Sequence, residues 1–433
     1  MAWFLRNRKN VFYSLFIPIF IFGLAAALPG CKDQPLKAVE LEFWGAFDDS
    51  DIWQELIGQF NQKYPKTQIK YYKKTYADYE KDLLEAMATG RGPDIFMIHH
   101  TWLTRYSDRI VTAPEDQITF KDVQDNFVDV VLDDFALNGS IGALPLGVDT
   151  LALYYNKDIL NTVGIPQPPS TWEEFIEDVE KITQKDERGN IIRAGAALGT
   201  ARNINRSTDI LSLLMIQSGV EMVSDQRDRA VFDQSTDYQG ERYSGGQRSL
   251  EFYTDFANPL KAVYTWNNRM HYSIDAFYEG KVAMMFNYSY HIPTIRAKAP
   301  YLNFGIAPMP QIKTSTSDVN YANYWGLTVS RNSKDSERAW QFITWLSQKE
   351  NHQKYLELSG KPSARRDLII SQKTDPDLGV FAQQALSARS WYQADSLAIE
   401  QVLADMIESV VVGGSIIAEA IQKAAGQITL LMR

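Results

Sequence analysis

The sequence predicts an α/β chain built on a parallel sheet and divided between two domains. Residues 38–98 read in the order strand, helix, strand, helix, strand, which packs as parallel strands covered by helices. Hydrophobic periodicity switches between two and 3.6 at the predicted element boundaries. Roughly 400 residues remain after an N-terminal targeting segment, more than one hydrophobic core usually organises.

"AVELEFWGAF" alternates apolar and polar positions as a β-strand does. The acidic turn "DDSD" at 48–51 then offers N-cap chemistry to "DIWQELIGQFNQKY", a helix with Ile52, Leu56, Phe60 and Tyr64 on one stripe and Pro65 as its stop. "QIKYYKK" is a second strand, "YADYEKDLLEAMATG" a second amphipathic helix ended by Gly90, and "PDIFMI" a third, continuously apolar strand. Further along, "QSTDYQGERYSGGQRS" at 234–249 is a polar surface loop before a helix carrying Leu250 and Phe256, and "TSTSDVN" and "KTDPDLG" are turn-rich. "IIAEAIQKAAGQITLLM" near the C-terminus is an amphipathic core helix.

The first thirty residues have a separate purpose. Arg6, Arg8 and Lys9 precede an apolar run at 11–27 without a charge, the pattern of a targeting segment. Leu28, Pro29 and Gly30 before Cys31 resemble a lipobox, although Pro29 departs from the usual small or β-branched residue. Residues 1–30 are therefore expected to be a lipoprotein signal peptide, Cys31 the lipidated N-terminus and residues 31–38 a tether. Two acyl chains would hold the body stably at a membrane surface outside the cytoplasm. The alternatives are a Cys31 that packs as a small hydrophobe and an uncleaved membrane helix, for which about 17 residues is slightly short. Cys31 is the only cysteine, so no disulfide can form within the chain.

Charge and motif content exclude several classes. Fifty-three acidic against 44 basic residues, without a Lys/Arg run, argue against a nucleic-acid partner. No G-x-S-x-G, H-E-x-x-H or G-x-x-x-x-G-K motif occurs. His99 and His100 are adjacent and point to opposite faces of an extended segment, which disfavours a shared metal. "DDSD" and "DPDLG" lack the full ligand spacing of a calcium loop and suit turns and caps better. Neither metal nor cofactor is expected, and the chain is expected not to be an enzyme.

"FNQKYP", "ATGRGPDIFMI", "ALPLGVDTLALYYNKDIL", "PPSTWEEF", "GKVAMMFNYSY", "FGIAPMP" and the long segment from "YWGLTVS" to "GKPSAR" together resemble, in this order, the family 1 extracellular solute-binding proteins of ABC sugar importers. The resemblance implies a two-lobed periplasmic-binding-protein-like fold of type II, with discontinuous lobes. Lobe 1 would comprise residues 39–148 plus 326–368, and lobe 2 residues 149–325 plus 369–433. Crossings would fall near 149–151, 319–325 and 366–371. The implied function is that of a monomeric receptor that captures a carbohydrate between the lobes and delivers it to a permease, with glycerol 3-phosphate and an extracytoplasmic glycan-active enzyme or a sensor-linked receptor as alternatives.

Ligands of open α/β sheets sit beyond the carboxyl ends of the strands. After the first strand stand Trp44, Gly45, Ala46 and Phe47; after the third stand His99, His100, Thr101 and Trp102. A pyranose asks for flat apolar faces ringed by donors and acceptors, which favours Trp44 and Trp102, while Gly45 would admit close approach. The resemblance adds Asp149 at the first crossing, Asn205, Arg206 and Asp209 before a helix, Asn287, Tyr288 and Tyr290 after an apolar strand, Trp325 at the second crossing, and Arg365. Core packing is the alternative for each tryptophan, including Trp391, and helix capping for Asp209.

Overall fold

A computed structural model describes residues 37–238 and 241–432. The signal segment and Cys31 lie outside the described residues. In the opening unit, strand β1 (Val39–Gly45) is followed by helix α1 (Ser50–Lys63), strand β2 (Thr67–Lys73), helix α2 (Tyr76–Ala88) and strand β3 (Ile95–His99). β1 pairs in parallel with both β2 and β3, as the β-α-β-α-β order requires. The next strand in this sheet is Trp325–Ser330, antiparallel to β3 with Trp325 opposite His99, and Ile110–Val111 and Leu144–Pro145 pair against it in turn.

α1 ends one residue before Tyr64 because the residue preceding a proline is driven out of the helical region. Its buried face is Trp53, Leu56, Ile57 and Phe60, rotated from the expected stripe, with Ile52 and Tyr64 only half-buried. The rotation follows from Trp53, which is wholly buried with its ring edge-on to Phe43 at 4.6 Å. The acidic turn is used differently from expectation. Asp49 caps α1 without a side-chain bond, while Asp48 turns inward, where its carboxylate accepts from Tyr355 Oη at 2.8 Å and pairs with Lys361 Nζ at 2.5 Å.

A second mixed sheet has the order Gln184–Lys185, Ile191–Ala196, Val282–Asn287, Ala152–Asn156, Phe304–Ala307. Thr236–Tyr238 and Glu241–Tyr243, expected as loop, pair as antiparallel strands, so backbone pairing occurs there despite the polar composition. The C-terminal helix Ile417–Leu431 buries Ala420, Ile421, Ala424, Ala425 and Ile428, a period-matched apolar face as expected.

The buried side chains fall into two clusters, one around each sheet. The chain changes cluster between Val148 and Leu151 and again between Tyr321 and Ala322. Those two passages are neighbours in a small third sheet: Asp149–Thr150 pairs antiparallel with Asn320–Asn323, which pairs in parallel with Ala388–Arg389. The third passage comes later than the expected 366–371. Leu368, Ile369, Ala382, Ala385 and Ala388 still belong to the first cluster, whereas Phe381 and Trp391 belong to the second. The helix Arg366–Gln372 lays its apolar face on the first cluster, so the crossing is spread over the segment after it.

Candidate functional site

Between the clusters, over the third sheet, lies a cavity of about 950 Å³, within the range typical of ligand sites. One wall is aromatic. β3 runs into a 3₁₀ turn, His100–Trp102, which delivers Trp102 beside Trp325 at 5.0 Å between ring centroids and 77° between planes. Phe47 lies 5.1 Å from Trp325, and Tyr76, at the start of α2, lies 5.1 Å from Phe47. Phe47 is 40% and Tyr76 60% exposed, a degree of exposure that leaves their faces free for contact. Trp102 is backed by Tyr79 and Tyr106, both stacked on it and fully buried.

The opposite wall is polar around a single ring. Tyr290 follows the apolar strand Val282–Asn287, is 54% exposed, and stacks on Tyr288 at 5.8 Å and 17°. Tyr288 donates its hydroxyl to Asp209 Oδ2 at 2.7 Å. Arg206 donates Nε to the same oxygen at 2.8 Å and lies 5.2 Å over the Tyr288 ring. Arg206 occupies the left-handed backbone region, with φ 62° and ψ 25°, just before the helix Ser207–Gln217. A non-glycine residue held there stores strain, which accumulates at functional sites. Burial opposes the Arg206 charge, but Asp209 and the neighbouring tyrosines outweigh it and push the guanidinium pKa up.

The floor is formed at the third sheet. The Asp149 carboxylate accepts from Ser289 Oγ at 2.7 Å, from Ser289 N at 3.0 Å and from Thr150 N at 2.9 Å. Burial nevertheless raises it to about 7, since these neutral donors offset desolvation only in part. His99 lies 2.8 Å from Thr101 Oγ1 through Nδ1 and 3.3 Å from Asn323 Oδ1 through Nε2. The amide oxygen can only accept, so Nε2 carries the proton. Burial lowers His99 to about 4, and drives His100 well below the usual imidazole range. His100 stacks on Tyr324 at 5.0 Å, and its Nδ1 is 3.3 Å from Asp134 Oδ2 without the alignment of a hydrogen bond. Both histidines are therefore neutral lining groups.

The structure brings His100, Thr101, Trp102, Asp149, Asp209, Tyr290 and Trp325 to one cleft. Seven other expected residues stand outside its lining. The ring of Trp44 is capped by Lys74 Nζ, 3.6 Å from its centroid. A Cβ on Gly45 would lie 2.8 Å from the Tyr71 ring, so this glycine serves internal packing. Asn205 Nδ2 contacts His291 Nε2 at 3.0 Å and Asn287 Oδ1 at 3.3 Å, behind the wall. Asn287 is fully buried and accepts from Tyr288 N at 2.9 Å. Tyr288 is fully buried and supports Tyr290 and Asp209 from behind. Arg365 binds Asp367, Ser347 O and Asn126, a structural clasp of the first cluster remote from the cleft. Trp391 is buried in the second cluster.

Tyr76, Ser289, Arg296, Asn323, Lys361, Asp377 and Glu400 line the cleft without having been singled out as site residues. Tyr76 opens a helix and Glu400 lies within one, so neither carries a strand-end signal; Ser289 sits between two residues that do. Among the described residues no group of three or more His, Cys, Asp or Glu could hold a metal. No helix among the described residues is long and apolar enough to cross a membrane.

Two α/β bodies joined by short crossing strands, with a large cleft between them, define a two-lobed fold of the kind that closes on a ligand. Residues 45–353 match the model of the bacterial extracellular solute-binding protein family. The chain belongs to this family, is a binding protein rather than an enzyme, and its folded body resides outside the cytoplasm. Among curated relatives it is 22% identical over 303 residues to the maltotriose-binding protein of Pyrococcus abyssi, covering 69% of this chain and 60% of that protein. Among solved structures it resembles the cyclic α-maltosyl-1,6-maltose-binding protein of Arthrobacter globiformis, with a TM-score of 0.76, 18% identity, and coverage of 91% of this chain and 99% of the other. The sugar-binding protein MalE of Xanthomonas citri is similar at a TM-score of 0.74 and 20% identity, covering 91% and 97%.

Proposed function

We propose that the chain is the substrate-binding lipoprotein of an ABC importer, capturing a carbohydrate in the cleft and delivering it to membrane permease subunits. The observation that carries this is the opposition of the aromatic wall, Phe47, Tyr76, Trp102 and Trp325, to the Tyr290 ring with its surrounding hydrogen-bonding groups. Aromatic faces suit the C–H face of a sugar ring, and Asp149, Arg206, Asp209 and Thr101 supply acceptors and donors for its hydroxyls. Relatives whose names specify maltotriose and galactooligosaccharide support the same ligand class.

The proposed mechanism is closure of the lobes on ligand. A ligand shifts a conformational equilibrium only through differential affinity, and contacts from both walls can be satisfied together only when the walls approach. The third sheet is the proposed hinge, Cys31 the lipidated anchor point, and the working unit a monomer. A thermal-shift screen of the purified soluble body against a sugar panel tests ligand capture: a ligand at about 100 times its Kd stabilises by about 2.7 kcal/mol. Absence of any shift across mono- and oligosaccharides refutes the assignment. Intact mass of membrane-extracted protein tests the anchor, and recovery of Met1 in the mature chain refutes it.

A further inference from the structure

Three cationic side chains line the cleft, and each is already paired. Arg206 is held by Asp209, with Nη2 at 2.6 Å. Arg296 makes two bonds to Asp377, at 2.5 and 2.6 Å, and Lys361 pairs with Asp48 at 2.5 Å. Three lining carboxylates make no salt bridge among the described residues: Asp149 and Asp375, bonded only to neutral donors, and Glu400, which has no hydrogen bond and feels Arg206 only through space. The Arg206 guanidinium is also fixed in place. Its backbone is left-handed, its guanidinium carbon lies 5.2 Å from the centre of the Tyr288 ring, and Nε and Nη2 are committed to Asp209, so Nη1 is the nitrogen with no bond among the described residues.

From this arrangement we infer, resting on the carbohydrate assignment above, that the cleft takes uncharged sugars and rejects phosphorylated and acidic ones, with Asp209 as the specificity-determining residue. An anionic ligand loses its hydration on entry and needs a cation to replace it. Here it finds cations already paired and, in Glu400 and Asp375, carboxylates without a salt-bridge partner on the lining, and like-charge juxtaposition is how interfaces reject wrong partners. A neutral hydroxyl, by contrast, meets the Arg206 Nη1 donor and the carboxylate acceptors in a preorganised setting. Asp209 has two tasks in this scheme. It cancels the Arg206 charge and, with Tyr288, fixes the direction of the remaining donor.

Isothermal titration of the soluble body with glucose, maltotriose, glucose 6-phosphate, glycerol 3-phosphate and glucuronate tests the inference. The wild type is expected to bind at least one neutral probe, with the anionic probes at least 100-fold weaker. Asp209→Asn frees the Arg206 charge from its bonded partner, and Glu400→Gln removes the exposed carboxylate without breaking a hydrogen bond of the dyad. Each should strengthen glucose 6-phosphate or glucuronate binding relative to the neutral probe by about tenfold or more, and Asp209→Asn should also weaken the neutral probe. Wild-type binding of an anionic probe as tight as of a neutral one overturns the inference while leaving carbohydrate capture intact. Unchanged discrimination in Glu400→Gln and in a folded Asp209→Asn overturns it too, and so does Glu400→Gln alone if the other variant does not fold. A wild type that binds none of the neutral probes removes this inference, and the wider thermal-shift panel then decides whether the carbohydrate assignment falls with it.

Discussion

Replacing Trp325 with alanine separates the contribution of the aromatic wall to binding from its contribution to folding. The ring contacts Trp102, Phe47 and His99 at 5.0 to 5.1 Å, Tyr79 at 6.0 Å and Tyr76 at 6.3 Å. Losing a fully buried tryptophan costs about 3 to 5 kcal/mol of stability; this one is half-buried, so about 2 to 3 kcal/mol is expected. In binding, a sugar face covering roughly 50 to 100 Å² of the ring contributes about 1.3 to 2.5 kcal/mol, which makes the alanine variant about ten- to seventyfold weaker. Trp325→Phe retains a flat apolar face and should lose less than about tenfold by the same area argument. Urea denaturation reports the first effect and calorimetric titration with the best sugar from the panel the second. An alanine variant that remains folded and binds within twofold of the wild type would show that Trp325 is not a platform.

Other perturbations test other links. His352 is fully buried, both ring nitrogens lack a partner among the described residues, and burial followed by the nearby Arg365 lowers it to about 3. The unfolded chain takes up this proton near pH 6.5, so the stability contribution is full above that value and is lost as pH falls toward 3, with a slope of up to about 1.4 kcal/mol per unit. His352→Leu should flatten the acid limb of a urea-stability profile, and an unchanged slope would contradict that account. Asp149 has the opposite sign: its folded value is raised to about 7, so its contribution is full below about pH 4 and is lost as pH rises through 7. Asp149→Asn should remove that decline from chemical-denaturation data between those values. Gly326 has no room for a Cβ, which would lie 2.6 Å from both Leu144 O and the Phe135 ring, so Gly326→Ala should lower the urea midpoint by the equivalent of about 1 to 3 kcal/mol.

Regular elements with local signals were legible in the sequence. The β1–α1–β2–α2–β3 order, the stop at Pro65 and the apolar face of the C-terminal helix all follow from periodicity and turn chemistry that neighbours in sequence determine. Long-range pairing was less accessible. Trp53 sits one residue from the expected stripe of α1 because Phe43, on a neighbouring strand, dictates which face turns inward. The shifted third crossing reflects where the Arg366–Gln372 helix finds its apolar partner. In the cleft, strand-end placement led to Trp102 and the family resemblance to Trp325, and both line the cavity. At Trp44 and Gly45 strand-end placement failed, since Lys74 and Tyr71 occupy the space a ligand would need. Asn287 and Tyr288 point inward from a strand end, a matter of side-chain direction that the sequence does not state.

The strand Trp325–Ser330 lies inside the first sheet, between β3 and the short strand Ile110–Val111. A chain emerging N-terminus first therefore cannot complete its first lobe until most of the second lobe has been produced. Until then β3 presents an open edge and a row of unpaired backbone groups. Contacts of such long sequence separation also slow folding, because loop closure must precede the pairing that rewards it. For a polypeptide that crosses a membrane before it matures, this delay is useful. The same interval is the time when an unpaired β3 edge is most open to aggregation.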